Sequence, residues 1–460
     1  MKSFSSQQRL VIVISIMASF VSFLDGFAVN VALPAIAQEL GGGLATQQWV
    51  VNAYLLALGS LMLVAGSFSD IFGRVRILCW GLVSFGVASV LCAVAPNELS
   101  LIIARAFQGA AGALLVPSSL ALIMSTFDGA SKGRAVGIWT SWTVVASVTG
   151  PLLGGFLVDV ASWRFIFAIN IAPILITLWL LRYLKPVEGI RASRAKIDGI
   201  GAFLCALALG SATWALIEQP RYGWHNPLVY GLLALGIVTF CLFIRHERQT
   251  THPMMPLSLF TNRNFTVGNV STLFIYAGLG LSNFIVAIFL QQIAGFSAFT
   301  AGLAFLPVTG LMFMLSSYFG KLAGLYGPRW FMAFGPIIAG IGFLLMLRVD
   351  ASVQYLSDLL PGILCFGIGL SVTVAPLTSA ILGAIESRQS GIGSAVNNAI
   401  ARIAGLVAVS VVGVAIGTSV SLTGFHSVLM LIAGLLFAGG LVAAVGIQNS
   451  AKATQKVGSK

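Results

Sequence analysis

The chain has 460 residues, of which 58% are hydrophobic and only 8% charged, with a net charge of +12. An average soluble domain carries about 25% charged residues. So much apolar surface excludes an ordinary water-soluble globule and points to lipid as the solvent. In lipid every backbone polar group is satisfied internally, so spanning segments are helices or a closed barrel. The apolar runs here are about 18 to 24 residues long, the length of a spanning helix and about twice that of a barrel strand.

Taken in chain order, the runs predict fourteen helical spans. They lie at about 10–32, 47–66, 77–95, 100–123, 135–158, 163–182, 198–217, 227–244, 266–289, 299–319, 330–348, 357–378, 394–417 and 426–447. The first run is followed by no small-residue cleavage site and continues through Asp25 and Asn30 to Pro34. It is expected to be a retained helix, not a leader. Span 7 ends at Glu218-Gln219-Pro220 and span 8 is short; without these two the count is twelve. Either count is even, which places both termini on one side.

Loop charge sets that side. With the termini inside, the inner segments hold twenty Lys and Arg residues. The outer segments hold three, Arg164, Arg221 and Arg348. Arg105 and Arg402 remain, both within or beside apolar runs. The positive charge therefore reads as topology, and no nucleic-acid partner is expected. Cys79, Cys92, Cys205, Cys241 and Cys365 all fall in or at the edge of apolar runs without CxxC spacing. Neither a disulfide framework nor a metal site is expected.

The chain also repeats itself. Gly66-Ser-Phe-Ser-Asp70-Ile-Phe-Gly73-Arg74 follows span 2, and Gly320-Lys-Leu-Ala-Gly324-Leu-Tyr-Gly327-Pro-Arg329 follows span 10. Pro117 in span 4 is answered by Pro376 in span 12. Two six-helix units flanking a two-helix insertion produce this pattern, with expected domains at 1–185, 186–250 and 251–460. Parallel halves of this kind predict a cargo site at their interface near the membrane midplane.

Asp25 and Arg105 are the charges hardest to explain as filler, since each costs roughly 2.5–3.5 kcal/mol in a span. Counted from the expected span ends at about 32 and 100, they lie at similar depth. A direct or water-mediated contact is expected if their helices are neighbours. A carboxylate there can trade a proton for a cation, because a cation binds only its ionised form. Asp25 is therefore the expected proton carrier and cation ligand, and Arg105 its coupling partner. A purely structural ion pair is the plain alternative.

These residues resemble the major facilitator superfamily, and within it the fourteen-helix drug:proton antiporter family, over nearly the whole chain. Leu24-Asp25-Gly-Phe-Ala-Val-Asn30-Val-Ala-Leu-Pro34 is similar to that family's LDxTxVNVALP motif, with Phe27 in place of Thr. The segment from Gly66 to Arg74 resembles GxLaDrxGrk, with Ile71 where a basic residue is usual. Leu101-Ile-Ile-Ala-Arg105-Ala-Phe-Gln108-Gly109 is similar to lIxxRxxqG. Gly150-Pro151-Leu-Leu-Gly154-Gly155 is similar to gxxxGPxxGG, with Ala146 at its first glycine. Trp163 through Asn170 and Gly393 through Asn398 also match the family in order.

The resemblance implies an all-α polytopic fold with both termini cytoplasmic, in the plasma membrane. It implies a conformational latch at Gly66, Asp70, Gly73, Arg74 and Arg134, and a gating role for Gly150, Pro151, Gly154 and Gly155. The small residues among these also suit plain helix contact. Asn30, Asn52, Tyr54, Trp139, Trp142, Asn283, Gln291, Asn397 and Asn398, with Asp25, are the expected cargo contacts. Aromatic rings there offer cation–π surface; lipid-facing rings and helix-bridging amides are the bland reading.

No phosphate loop, HExxH, EF-hand or triad pattern is present, so neither enzyme chemistry nor a cofactor is expected. The expectation is a proton-coupled antiporter, working as a monomer, that exports small lipophilic and preferentially cationic compounds. The second half has no carboxylate deep in a span, which favours monovalent over divalent cations. An exporter of a narrow metabolite, an amino acid or sugar, is the first rival, kept open by Phe27. A membrane receptor without transport is the second.

Overall fold

The computed structural model describes residues 4–127, 129–184, 198–350, 352–386 and 389–449. Sixteen α-helices form fourteen segments long and apolar enough to cross a membrane. They are α1 (Ser6–Leu40), α2 (Gly43–Phe72), α3 (Arg74–Ala93), α4 (Glu98–Thr126), α5 (Gly129–Val160), α6 (Arg164–Ala168), α7 (Ile171–Leu181) and α8 (Gly199–Tyr222). There follow α9 (Pro227–Gln249), α10 (Arg263–Gln292), α11 (Ala298–Ala304), α12 (Leu306–Tyr326), α13 (Arg329–Leu345), α14 (Leu360–Gly383), α15 (Ser390–Ile416) and α16 (Leu422–Gly446). No strand occurs among the described residues.

Several boundaries differ from the sequence reading, for local reasons. α1 runs to Leu40, eight residues past the expected end near 32, and Pro34 lies inside it. Asp25 is therefore fifteen residues from the helix end, not seven, and the depth estimate made from span ends does not hold. α8 likewise carries on through Pro220. The sixth span is broken into α6 and α7 at Ile169-Asn170. Pro173 in the first turn of α7 has no N–H for the Ile169 carbonyl, which favours a break there.

Glycine makes the tightest connection. α2 and α3 are joined through Gly73 alone, at φ 94° and ψ 133°. That left-handed conformation is open to glycine and strained for residues with a Cβ.

The chain forms two compact units. The first comprises residues up to Ala212, Tyr230–Met254 and Ser297–Phe299. The second comprises Thr213–Val229, Met255–Phe296 and Thr300 onward. The two inserted helices, α8 and α9, are thus shared out between them.

Within the first unit α1 lies against α4, α5, α2 and α7, and α4 also contacts α2 and α3. Its apolar centre includes Ile14, Val21, Leu58, Leu82, Phe85, Leu115 and Phe127. Lipid tails are as apolar as Leu, so helices associate chiefly by close contact and interhelical polar bonds. Gly109 shows the closeness: a Cβ there would fall 2.2 Å from the Tyr54 carbonyl oxygen. Gly150 and Gly154 do the same for α5 against α1, facing Leu24, Phe27 and Ala28.

Within the second unit α13 lies against α14 and α16, and α10 against α15 and α16. Gly342 and Gly362 face one another, as do Gly280 and Gly405.

Candidate functional site: an enclosed charge cluster in the first unit

Asp25 and Arg105 meet directly inside the first unit. Arg105 Nη1 donates to Asp25 Oδ2 at 2.5 Å. The two residues are 0% and 1% exposed. A buried charge of this kind is tolerated only when paired and fully hydrogen-bonded, and the surroundings supply those bonds.

Arg105 Nε donates to the Val50 carbonyl of α2 at 3.0 Å, and Nη1 also reaches Gln108 Oε1 at 2.6 Å. The guanidinium carbon lies 4.4 Å from the centre of the Tyr54 ring and 5.6 Å from that of Phe167. Aromatic faces this close stabilise the cation further.

The other carboxylate oxygen is held by two amides. Gln108 Nε2 and Asn170 Nδ2 each donate to Asp25 Oδ1 at 2.9 Å. Both amides also donate to Ser89 Oγ, at 2.9 and 3.3 Å. The Cys92 thiol donates to Gln108 Oε1 at 3.6 Å. Five elements of chain thus converge: α1 brings Asp25, α2 Tyr54, α3 Ser89 and Cys92, and α4 Arg105 and Gln108. The fifth is the break before α7, which brings Asn170.

Sequence reasoning missed the roles of Gln108, Asn170 and Ser89. Gln108 stands three residues after Arg105, so the two share a helix face, and that spacing was the available signal. Asn170 gave less: its placement depends on the helix break. It is fully buried, and its Oδ1 has no hydrogen-bond partner.

Three residues expected among the cargo contacts are enclosed in the first unit. Asp25 and Asn52 are 0% exposed and Tyr54 2%. Tyr54 is engaged with Ser22, its hydroxyl 2.7 Å from the Ser22 hydroxyl and donating to the Ser22 carbonyl at 3.1 Å. The structure thus places Asp25 as an internal ion pair, not as an open ligand. Asn30 is spent on its own helix, donating to the Gly26 carbonyl at 3.0 Å. Trp139 is half-buried and donates to Ser19 Oγ at 3.0 Å, and Ser19 is 2.5 Å from Ser119. Trp142 is exposed and meets Phe20 edge to face.

In the second unit Asn283, Gln291, Asn397 and Asn398 are partly buried. Gln291 and Asn398 bond carbonyls one turn back, at Ala287 and Ser394. Asn397 bridges helices, donating to Asn269 at 3.1 Å and to Thr272 at 2.9 Å.

Of the expected latch, the side chain of Asp70 lies outside the described residues. Gly66 and Gly73 have open space where a Cβ would stand. Arg74 begins α3 and is partly buried. Arg134 is exposed, with its guanidinium 4.6 Å from the Phe4 ring centre. Among the described residues no group of three or more His, Cys, Asp or Glu could hold a metal ion.

Comparison with known proteins agrees with this fold. The structure is similar to a peptide transporter of the POT type in complex with sulfate, at TM-score 0.69 and 13% identity, covering 95% of this chain and 93% of that one. It is also similar to the POT family transporter PepTSo, at TM-score 0.65 and 15% identity, covering 100% and 99%. At that identity the likeness speaks for the fold alone.

Among curated proteins, the methylenomycin A resistance protein of Bacillus subtilis is 34% identical over 427 residues, 91% of this chain and 90% of that protein. The multidrug resistance protein Stp of Mycobacterium tuberculosis is 31% identical over 423 residues, 90% and 77%. The tetracenomycin C resistance and export protein of Streptomyces glaucescens is 30% identical over 409 residues, 86% and 74%. The model of the Major Facilitator Superfamily matches residues 16–409. With its fourteen membrane-competent helices and these relatives, the chain is a multi-span transporter that belongs to the Major Facilitator Superfamily.

Proposed function

We propose that the protein is a proton-coupled antiporter of the plasma membrane, its termini cytoplasmic, exporting small amphipathic compounds by alternating access. Cations are the preferred cargo in this reading. Export of antibiotics is supported by the names of the relatives, which are resistance proteins and, for tetracenomycin C, a resistance and export protein.

The observation that carries the coupling is the enclosed Asp25–Arg105 pair, 2.5 Å apart and buried inside the first unit. A buried pair of this kind often adds little net stability over an apolar replacement, so its presence calls for another reason. Intramembrane ionisable residues are functional candidates by default. Protonating Asp25 removes one half of the pair and leaves Arg105 to seek other partners. That change is local, all-or-none and dependent on the proton. Cargo need not touch Asp25; it need only favour the arrangement that the ionised pair favours.

The test is dye uptake into everted vesicles under an imposed pH gradient, with ethidium as probe. Uptake that follows the gradient and collapses with an uncoupler is expected, and Asp25→Asn abolishes it. Gradient-driven uptake by Asp25→Asn at the native rate overturns the coupling assignment. Proton-driven movement of one amino acid or sugar, without dyes, would favour the narrow metabolite exporter.

A further inference from the structure

Both oxygens of the Asp25 carboxylate face donors. Oδ2 faces the Arg105 guanidinium, and Oδ1 faces the amide nitrogens of Gln108 and Asn170. This suits an ionised carboxylate, which only accepts. It does not suit a protonated one. A proton bound at Oδ1 makes an O–H group that must itself donate, and in this arrangement it points at N–H groups.

One of the two amides can answer that need. Gln108 Oε1 is already occupied, accepting from Arg105 at 2.6 Å and from Cys92 at 3.6 Å. Asn170 Oδ1 is buried without any hydrogen-bond partner. Half a turn of the Asn170 amide exchanges Nδ2 for Oδ1 and brings an acceptor to Asp25. Rotation about this bond is two-fold in character, so both positions are conformationally open. The Ser89 hydroxyl, which now accepts from Asn170 at 3.3 Å, can turn its hydrogen to the same oxygen.

We infer that Asn170 is a positioning residue that reads the charge of Asp25, donating to the carboxylate and turning to accept from the carboxylic acid. The inference rests on the proposed proton coupling at Asp25 and says how the neutral state is held. The balance is simple: a proton adds to Oδ1, an O–H bond forms, and the side chain passes from −1 to neutral. Nothing else is oxidised, reduced or transferred. The other ionisable groups facing the cluster are Arg105 from α4, the Cys92 thiol from α3 and Tyr54 from α2. From α5, Gly150 and Gly154 approach α1 beside Asp25 and bring no charge.

Asn170 stands between α6 and α7, with helical dihedrals of φ −62° and ψ −25°. An unpartnered buried acceptor costs free energy in the ionised state. When the amide turns, Oδ1 gains the acid as a donor and Nδ2 takes the place that Oδ1 left.

The test uses the full-length protein in proteoliposomes with ethidium as cargo. Asn170→Leu removes donor and acceptor together. Gradient-driven transport is expected to fall about tenfold, while ethidium exchange at equal pH on both sides is retained. Infrared difference spectra read the carboxylic C=O stretch of Asp25, identified by its loss in Asp25→Asn. That band is expected to move to higher frequency in Asn170→Leu, as for an acid that has lost its acceptor. Asn170→Ser keeps an oxygen that donates or accepts by rotation, and partial recovery of coupled transport is expected. An unmoved band, or native coupled transport in Asn170→Leu, overturns the inference while leaving Asp25 in place. Native coupled transport in Asp25→Asn overturns the reading beneath it.

Discussion

A Cβ on Gly150 would stand 2.8 Å from the Cβ of Phe27 and 3.0 Å from the carbonyl oxygen of Leu24. The bulky residue that departs from the family pattern thus sits against the glycine of the antiporter-like motif. α5 and α1 have come together backbone to backbone just beside Asp25. Gly150→Ala is expected to force the helices apart at about 1–3 kcal/mol, as overfilled cores generally do. A lower midpoint of thermal unfolding in detergent checks this. Phe27→Gly removes the Cβ that Gly150 faces, so Gly150→Ala should cost less in a Phe27→Gly background than in the native chain, and an equal cost would show that the strain lies elsewhere.

The charge pair makes a second expectation. Arg105→Gln leaves Asp25 buried without its cation, a loss of about 3–5 kcal/mol for a pair broken on one side. Asp25→Asn with Arg105→Gln removes both charges and should recover most of that stability. Thermal unfolding of the two variants beside the native protein decides it. If the double variant is as unstable as Arg105→Gln, the pair is not the source of the penalty.

Trp139 gives a third. Its indole N–H donates to Ser19, so Trp139→Phe should cost about 1 kcal/mol of stability. Dye affinity, measured by fluorescence quenching, separates helix tie from cargo contact. Unchanged affinity with a lowered unfolding midpoint assigns the residue to the tie. The converse assigns it to cargo.

Gly73 gives a fourth. Nothing lies within 4 Å of where its Cβ would stand, so any penalty is conformational. Gly73→Ala at φ 94° is expected to cost about 1–2 kcal/mol. Cysteine cross-linking between neighbouring turns of α2 and α3 would report the altered junction. An unchanged cross-linking pattern and unfolding midpoint would count against a strained turn.

The helices were legible because a span announces itself by length and apolarity, which hold for all fourteen segments. Their ends were not. Pro34 and Pro220 read as stops, yet both lie inside helices. The break at Asn170 was hidden in an unbroken apolar run, where Pro173 alone marks it. The same division holds at the site. Asp25 and Arg105 stood out because charge is rare in such runs. Gln108 and Asn170 carry no charge, and an amide in a span reads equally well as a bridge between helices. What joins them to Asp25 is three-dimensional: α1, α4 and the start of α7 have to be side by side before the amides find the carboxylate. Asn52 and Tyr54 are expected among the cargo contacts for their chemistry, and the fold encloses both, which only the assembled helices reveal.

While both members of the Asp25–Arg105 pair are ionised, their charges cancel at 2.5 Å, and the membrane voltage acts only on a small dipole. A proton on Asp25 leaves the arginine charge alone. One elementary charge crossing 100 mV is worth about 2.3 kcal/mol, so the protonated unit would feel an electrical pull that the ionised one does not. Any step that carries this cluster through part of the field is then driven by voltage only when the proton is aboard.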